Sequence, residues 1–503
     1  MTSEQRRFTR RSVLLGALGM SMIWVGCSGA RSGNRQGGGS FDFANPLAIP
    51  PLAAATVQGD QRHFELVAQR GESTLLPGQI SETWGFNGPF LGPTLRARRG
   101  EEVFIHVRNA LRETTSVHWH GMHLPAEMDG GPHQPVRAGE SWRPHWRVNQ
   151  PAATLWYHPH PHGETERHVY QGLAGLFIVD DEISEGLSLP TTYGVDDIPV
   201  IVQDKRLNRA GQLRMGERAE TGLLGDTILV NGVYAPYFEA TTELVRLRIL
   251  NGSTARIYNF GFDDNRDFAL IATDGGLLDA PYETNRIQLS PGERAEIVVK
   301  LQPNQTASLR SYPPDLGTLV ALAGAYGGQD SFDLLQLRAV AQLRPSPALP
   351  ATLAPSERLH ERDAARSRIF RLDGRKINNR RMDMRRIDEI VTVDTTEIWE
   401  LFNQNLYPHN FHIHDVQFQI LDIDGSPPPP ELAGWKDTVY LRPRARYRTI
   451  MRFSDYVDET IPYMYHCHLL WHEDQGMMGQ FVVVAPGAEG ALSGQIDAAH
   501  PHH

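Results

Sequence analysis

Cysteine is nearly absent: the chain holds two, Cys27 and Cys467, among 503 residues. Two thiols so placed make no disulfide framework, and they cannot supply a structural zinc site built mainly of thiolates. Positive charge is also short, with 49 Lys and Arg against 59 Asp and Glu and a formal net charge of −10. That balance argues against nucleic acid as the main partner, because phosphate binding needs a basic surface. It is compatible with cationic or neutral substrates and selects none. Methionine is sparse, at 12. Histidine is plentiful, at 21, yet none lies between His168 and His360. No low-complexity segment follows residue 40.

Hydrophobic residues make up 40% and charged residues 21%, the balance of a globular chain. Its length exceeds one core. Short alternating apolar runs, such as Val103-Phe104-Ile105-His106-Val107, Val245-Arg246-Leu247-Arg248-Ile249-Leu250 and Phe481-Val482-Val483-Val484, recur between Gly and Pro. They predict an all-β protein of sandwiches or barrels. Breaks at 180–192 and 343–356 divide it into units at 41–185, 186–350 and 351–486, with a tail at 487–503. The first and third units hold the histidine clusters. The middle unit gives no imidazole and reads as a spacer between two units that share a site.

Residues 1–40 read as an export signal and flexible linker. Arg10-Arg11-Ser12-Val13-Leu14-Leu15 resembles the twin-arginine signal of bacteria, followed by an apolar run from Val13 to Val25. That run is short for a transmembrane helix, which needs ~20 residues. An ordinary secretory signal or a membrane anchor is the alternative. Cys27 resembles the lipid-attachment cysteine of bacterial lipoproteins, with the Gly- and Ser-rich stretch after it as a tether; a chance cysteine in a discarded leader is the plainer reading. The expected location is periplasmic or at the cell surface, with a lipid anchor if Cys27 is modified.

Four clusters carry the chemistry: His118-Trp119-His120, His158-Pro159-His160, His409-Asn410-Phe411-His412-Ile413-His414, and His466-Cys467-His468 with His472 and Met477. Residues i and i+2 of a strand share a face, so the members of each His-x-His pair are expected to converge. Eight imidazoles from four such pairs are too many for one metal and suit a cluster of several. On a strand, Cys467 faces opposite to His466 and His468. One tripeptide then touches two metal sites through a short covalent path. His409, His472 and Met477 are at hand for the thiolate. Two His, one Cys and a weak axial Met form the ligand set of a blue-copper electron-transfer site. Singly, each motif also fits a strand with surface histidines, a core methionine or adventitious zinc binding.

Taken together, the motifs resemble those of the multicopper oxidases over about residues 55–486. They are His118-Trp119-His120-Gly121, Trp156-Tyr157-His158-Pro159-His160-Pro161-His162-Gly163, Pro408-His409-Asn410-Phe411-His412-Ile413-His414, and the run from His466 through Met478. The resemblance implies three cupredoxin-like Greek-key β-sandwich domains and four copper ions. Type 1 copper would take His409, Cys467, His472 and axial Met477. Type 2 copper would take His118 and His412. The type 3 pair would take His120, His158, His160, His414, His466 and His468. Electrons from a reducing substrate would cross through Cys467 to a trinuclear cluster that reduces dioxygen to water. Asp129 and Glu473 match acidic positions that supply protons; each could instead serve as a turn cap.

Within the family, Lys376-Ile377-Asn378-Asn379, Gly434-Trp435-Lys436-Asp437-Thr438 and Glu473-Asp474-Gln475-Gly476-Met477-Met478 resemble the bacterial branch of cuprous oxidases, bilirubin-oxidising enzymes and spore-coat laccases. Cuprous oxidases of that branch carry a Met-rich insert and an Asp and a Met before the first type 1 histidine. Here 357–396 holds only Met382 and Met384, and the approach is Asn405-Leu406-Tyr407-Pro408. The expected donor is a phenol or aromatic amine, with dioxygen as acceptor. The alternatives are a cuprous or other metal oxidase and, in another class, a cupredoxin-like periplasmic scaffold protein. A copper-storage protein and a nitrite reductase fit the paired motifs less well. A monomer is the expected state.

Overall fold

The computed structural model describes residues 42–490 and 494–495. The leader with Arg10, Arg11 and Cys27, and the tail histidines His500, His502 and His503, lie outside the described residues. Among the described residues, no helix is long and apolar enough to cross a membrane.

The chain builds three β-sandwiches, each from two sheets whose spatial neighbours are mostly not neighbours in sequence, as Greek-key connections require. In the first unit, Gln61–Leu76 pairs in parallel with Glu102–Asn109, and a second sheet holds Ala153–His158 between His118–His120 and Gly175–Asp180. The alternating burial of Glu102–Asn109 follows its sequence, with Val103, Ile105 and Val107 inward. In the third unit, Asp458–His466 lies between His409–Ile413 and Met478–Val484. Val482, Val483 and Val484 are all buried, because this strand is covered on both faces.

Two details depart from the sequence reading. Asn45–Pro46 pairs in parallel with Pro236–Thr242, so this strand joins the middle unit's sheet although the sequence breaks place it in the 41–185 unit. The alternation in Leu244–Asn251 also predicts a wet polar face, but all eight residues are buried. Arg248 there bonds Asp197 at 2.6 Å, Glu296 at 3.0 Å and Thr154 of the first unit at 2.7 Å, and Arg246 pairs with Glu296. The polar face is therefore an internal ion-pair seam between the first two units. Burial of such charges is tolerable because each is matched.

Candidate metal centre

Four short segments deliver the histidines. His118–His120 pairs with Ala153–His158, which places His118 opposite His158. His409–Ile413 pairs with Asp458–His466, which places His412 opposite His466. Pro159 ends its strand because it has no N–H to donate, and the His160 N–H goes to Ser116 Oγ at 2.9 Å. The strand before Cys467 stops at His466, but the Cys467 N–H still reaches Met477 O at 3.1 Å. A tight turn also serves the site. Gly130, at φ 77°, runs so close to Val117 that an added Cβ would collide with the Val117 carbonyl.

Ligand-type atoms converge in several buried groups: His120, His158 and His468; His160, His414 and His466; His118, His412 and His414; and His409, Cys467 and His472. The first three adjoin one another between the outer units. The expected convergence within each His-x-His pair needs correction for three of the four. His118 and His120, His158 and His160, and His466 and His468 enter different groups, with ring centroids 5.8, 6.2 and 5.4 Å apart. A two-residue step along a strand advances ~6.6 Å, too far for one small ion and suited to neighbouring ones. Only His412 and His414 share a group.

Ring tautomers decide whether metal fits. Each neutral imidazole has one N–H and one lone pair. His118 Nδ1 donates to Asp129 O at 2.9 Å, His412 Nδ1 to Asp437 O at 2.9 Å, and His414 Nδ1 to Asp129 Oδ2 at 2.7 Å. His120 Nε2 donates to Asp437 Oδ1 at 2.9 Å and His158 Nδ1 to Pro159 O at 2.9 Å. The opposite nitrogens then point inward with lone pairs. His160 Nε2 and His414 Nε2 lie 3.2 and 3.3 Å from His466 Nε2, and His120 Nδ1 lies 3.4 Å from His158 Nε2. Burial holds His120, His158, His160, His414, His466 and His468 well below the ordinary imidazole pKa. Lone pairs packed against lone pairs in a dry site are unfavourable unless cations lie between them, and the donor set fits copper.

The fourth group sits on the other face of the tripeptide. Cys467 Sγ lies 3.4 Å from His409 Nδ1 and 3.5 Å from His472 Nδ1, and these nitrogens are 3.1 Å apart. Burial pushes the thiol up to about 12, so it ionises only against a cation held by the two imidazoles. Met477 is fully buried beside them, its main chain bonded to both Cys467 and His472. His472 Nε2 donates to Glu220 O of the middle unit at 2.6 Å.

Sequence profiles of the multicopper oxidase family match residues 68–184, 205–312 and 348–487. The multicopper oxidase mco of Staphylococcus haemolyticus is 34% identical over 87% of this chain and 92% of its own. The chain belongs to the multicopper oxidase family. Cell division protein FtsP of Escherichia coli is 36% identical over 87% of this chain and 92% of its own. Among solved structures, a laccase from Pediococcus acidilactici superimposes with a TM-score of 0.79 at 35% identity, covering 87% of this chain and 93% of that one. Copper and an oxidoreductase activity with dioxygen as acceptor follow from membership.

Three carboxylates stand behind this multicopper oxidase's histidines, each between one ring of the first unit and one of the third. Asp129 serves His118 and His414, with its carboxylate 3.4 and 2.7 Å away. Glu473 lies 3.4 Å from His160 Nδ1 and 3.3 Å from His466 Nδ1. Burial pushes its carboxyl well above the usual range, and Asp474 adds to the effect. Its two oxygens have no aligned hydrogen bond, so it can hold a proton next to two candidate ligands. The third carboxylate, Asp437, escaped the sequence reading; it lies 2.9 Å from His120 and 3.5 Å from His412. The only signal was the stretch Gly434-Trp435-Lys436-Asp437-Thr438, read there for likeness alone. His123 and His133, outside the four clusters, are also engaged: His133 bonds Gln480 at 2.8 Å, and His123 bonds Asp415 and Asp455.

Proposed function

We propose that this multicopper oxidase is laccase-like: it holds four copper ions and oxidises phenols or aromatic amines by single electrons while reducing dioxygen to water. Copper, when bound, supplies the one-electron steps between donor and dioxygen. The observation that carries the reading is the lip of the Cys467 group. Asn405 Nδ2 lies 3.0 Å from His409 Nε2, and the Tyr407 ring stands 5.1 Å from His409 and 6.2 Å from His472. Beyond them, Leu406, Leu319 and Val320 are exposed at 47, 62 and 83%, and Thr318 is tied to Leu406 O. Such a rim favours an apolar aromatic donor over a soft cation, which prefers thioethers. Asp129 and Glu473 would hold the protons that dioxygen reduction consumes.

A second reading, a cuprous oxidase, draws on Met382, whose N–H bonds Gly476 O at 2.9 Å beside Met477. Oxygen uptake by copper-loaded protein separates the two. Uptake with a diphenol supports the laccase reading; uptake with cuprous ion alone overturns it. A scaffold role, suggested by the FtsP relatives, predicts no copper binding and no uptake with either donor. We further infer export through the twin-arginine-type signal to the periplasm or cell surface. Replacing Arg10 and Arg11 by Lys should retain the protein in the cytoplasm, and Cys27→Ser should release it from membranes if the cysteine is lipidated.

A further inference from the structure

The middle unit gives no ligand, yet one of its turns reaches both metal groups. Arg294, fully buried, uses all five of its N–H donors. Nη1 and Nη2 grip the Asp437 carboxylate of the third unit at 2.8 and 2.6 Å. Nε donates to Thr154 O of the first unit at 3.0 Å, and the remaining two go to Gly292 O and Asp274 O at 3.0 Å each. Asp437 in turn accepts from His120. Asp437 thus differs from Asp129 and Glu473, which are not gripped by a guanidinium: its two oxygens are fixed in place by a planar fork.

Four residues before Arg294, the same turn touches the Cys467 side. Asn410 Nδ2 donates to Pro291 O at 2.8 Å and to Ser290 Oγ at 3.2 Å, and this leaves Asn410 Oδ1 3.6 Å from Cys467 Sγ. Between the two ends, Gly292 at φ 87° lies flat on the His468 ring, where an added Cβ would stand 3.1 Å from Nδ1. His468 has no hydrogen bond on either nitrogen, so its ring is held by packing, against Gly292 and against the rings of His120, Trp156 and His158. The turn is itself anchored. Lys436 Nζ joins Asp274 at 2.9 Å and Glu293 at 3.0 Å, and Glu293 accepts from the Ser290 N–H and Oγ at 2.7 Å each.

We propose that residues 290–294 of the ligand-free middle unit form a positioning clamp for both metal groups, acting through Asp437 on His120, by packing on His468, and through Asn410 on Cys467. The inference rests on the multicopper reading of the site. Residues that orient a ligating imidazole from behind commonly change metal affinity by about 10–100-fold when lost. A lysine at 294 keeps the buried charge but offers three donors without the planar fork.

The test uses the full-length copper-loaded protein and its Arg294→Lys and Asn410→Ala variants. Arg294→Lys is expected to keep the thiolate-to-copper absorption band, while it loses trinuclear copper to a competing chelator about 10-fold more readily and shows extra copper detectable by electron paramagnetic resonance as the type 3 pair uncouples. Asn410→Ala is expected to do the reverse, shifting the thiolate band and leaving the type 3 pair silent. Wild-type copper retention and resonance in Arg294→Lys would overturn the trinuclear arm, and an unmoved band in Asn410→Ala would overturn the other. Loss of both signals together in Arg294→Lys would show a general structural role and also overturn the clamp. Should the wild-type protein itself show no thiolate band, the copper reading beneath the clamp fails, a distinct result from any of these.

Discussion

Replacing His123 by Asn should loosen the first unit from the third, and only below alkaline pH. His123 Nδ1 meets Asp415 Oδ1 at 2.8 Å and Nε2 meets Asp455 Oδ2 at 3.0 Å. Both carboxylates belong to the third unit. Burial alone would lower the pKa of this imidazole, but the two carboxylates outweigh it and raise the value to about 9. The unfolded reference is ~6.5. Because the folded value is the higher one, the stabilisation is complete below the unfolded pKa and is lost as pH climbs through about 9. At ~1.36 kcal/mol per unit the ceiling is about 3 kcal/mol. The Asp455 side chain is 52% exposed, and solvent screening brings the expected figure to about 2 kcal/mol. Urea denaturation of wild type and His123→Asn, read at the first unfolding transition, should differ by that amount near pH ~6 and converge near pH ~10. Taking the difference between the two proteins removes the titrations they share. A gap of constant size across that range would refute the ion-pair account, and no gap at any pH would show that the contact contributes nothing to docking.

Three other outcomes are expected. Met477→Leu should raise the type 1 potential and move the thiolate absorption band, both read on copper-loaded protein; an unchanged potential would remove Met477 from the axial position. Lys205, fully buried with Nζ bonded to Tyr170 O at 2.8 Å, is lowered by burial to about 7. Its folded value lies below the unfolded one, so it destabilises at neutral pH, and stability should rise between about 7 and ~10.4. Lys205→Met should therefore be more stable near neutrality, by on the order of 2 kcal/mol, with the gain vanishing in alkali; thermal melts at both ends of the range decide this. The double variant Asn405→Asp with Tyr407→Met should move oxygen uptake towards cuprous ion and away from diphenols, by about 10-fold in relative kcat/KM for ~1.4 kcal/mol of altered recognition. An unmoved ratio would show that the lip does not select the donor.

Much of this protein was legible in its residues alone. The all-β class, the three units and the candidate ligands are local features, visible within a few residues: alternating apolar runs set strands, and imidazoles beside a lone thiol have little else to signify. The tripeptide His466-Cys467-His468 implied two metal groups on opposite faces, and the structure separates those side chains in that way. What local pattern could not give was the allotment of rings to groups. Strand periodicity says which side chains share a face, but the step of ~6.6 Å between them decides that they serve neighbouring ions, and the facing unit decides which.

The remaining features depend on residues far apart in the chain. Arg294 and Asp437 are 143 positions apart, and Asp437 and His120 are 317 apart. Arg294 carries no signal in the sequence, and Asp437 stands there only within the stretch Gly434-Trp435-Lys436-Asp437-Thr438. Only the docking of three sandwiches removes water from between them, and in that dry space a charge must be matched by another. The sequence by itself determined which chemistry the chain can hold. The tertiary structure decided how the ligand-free unit braces it, because a contact between domains leaves no periodic trace in either segment that makes it.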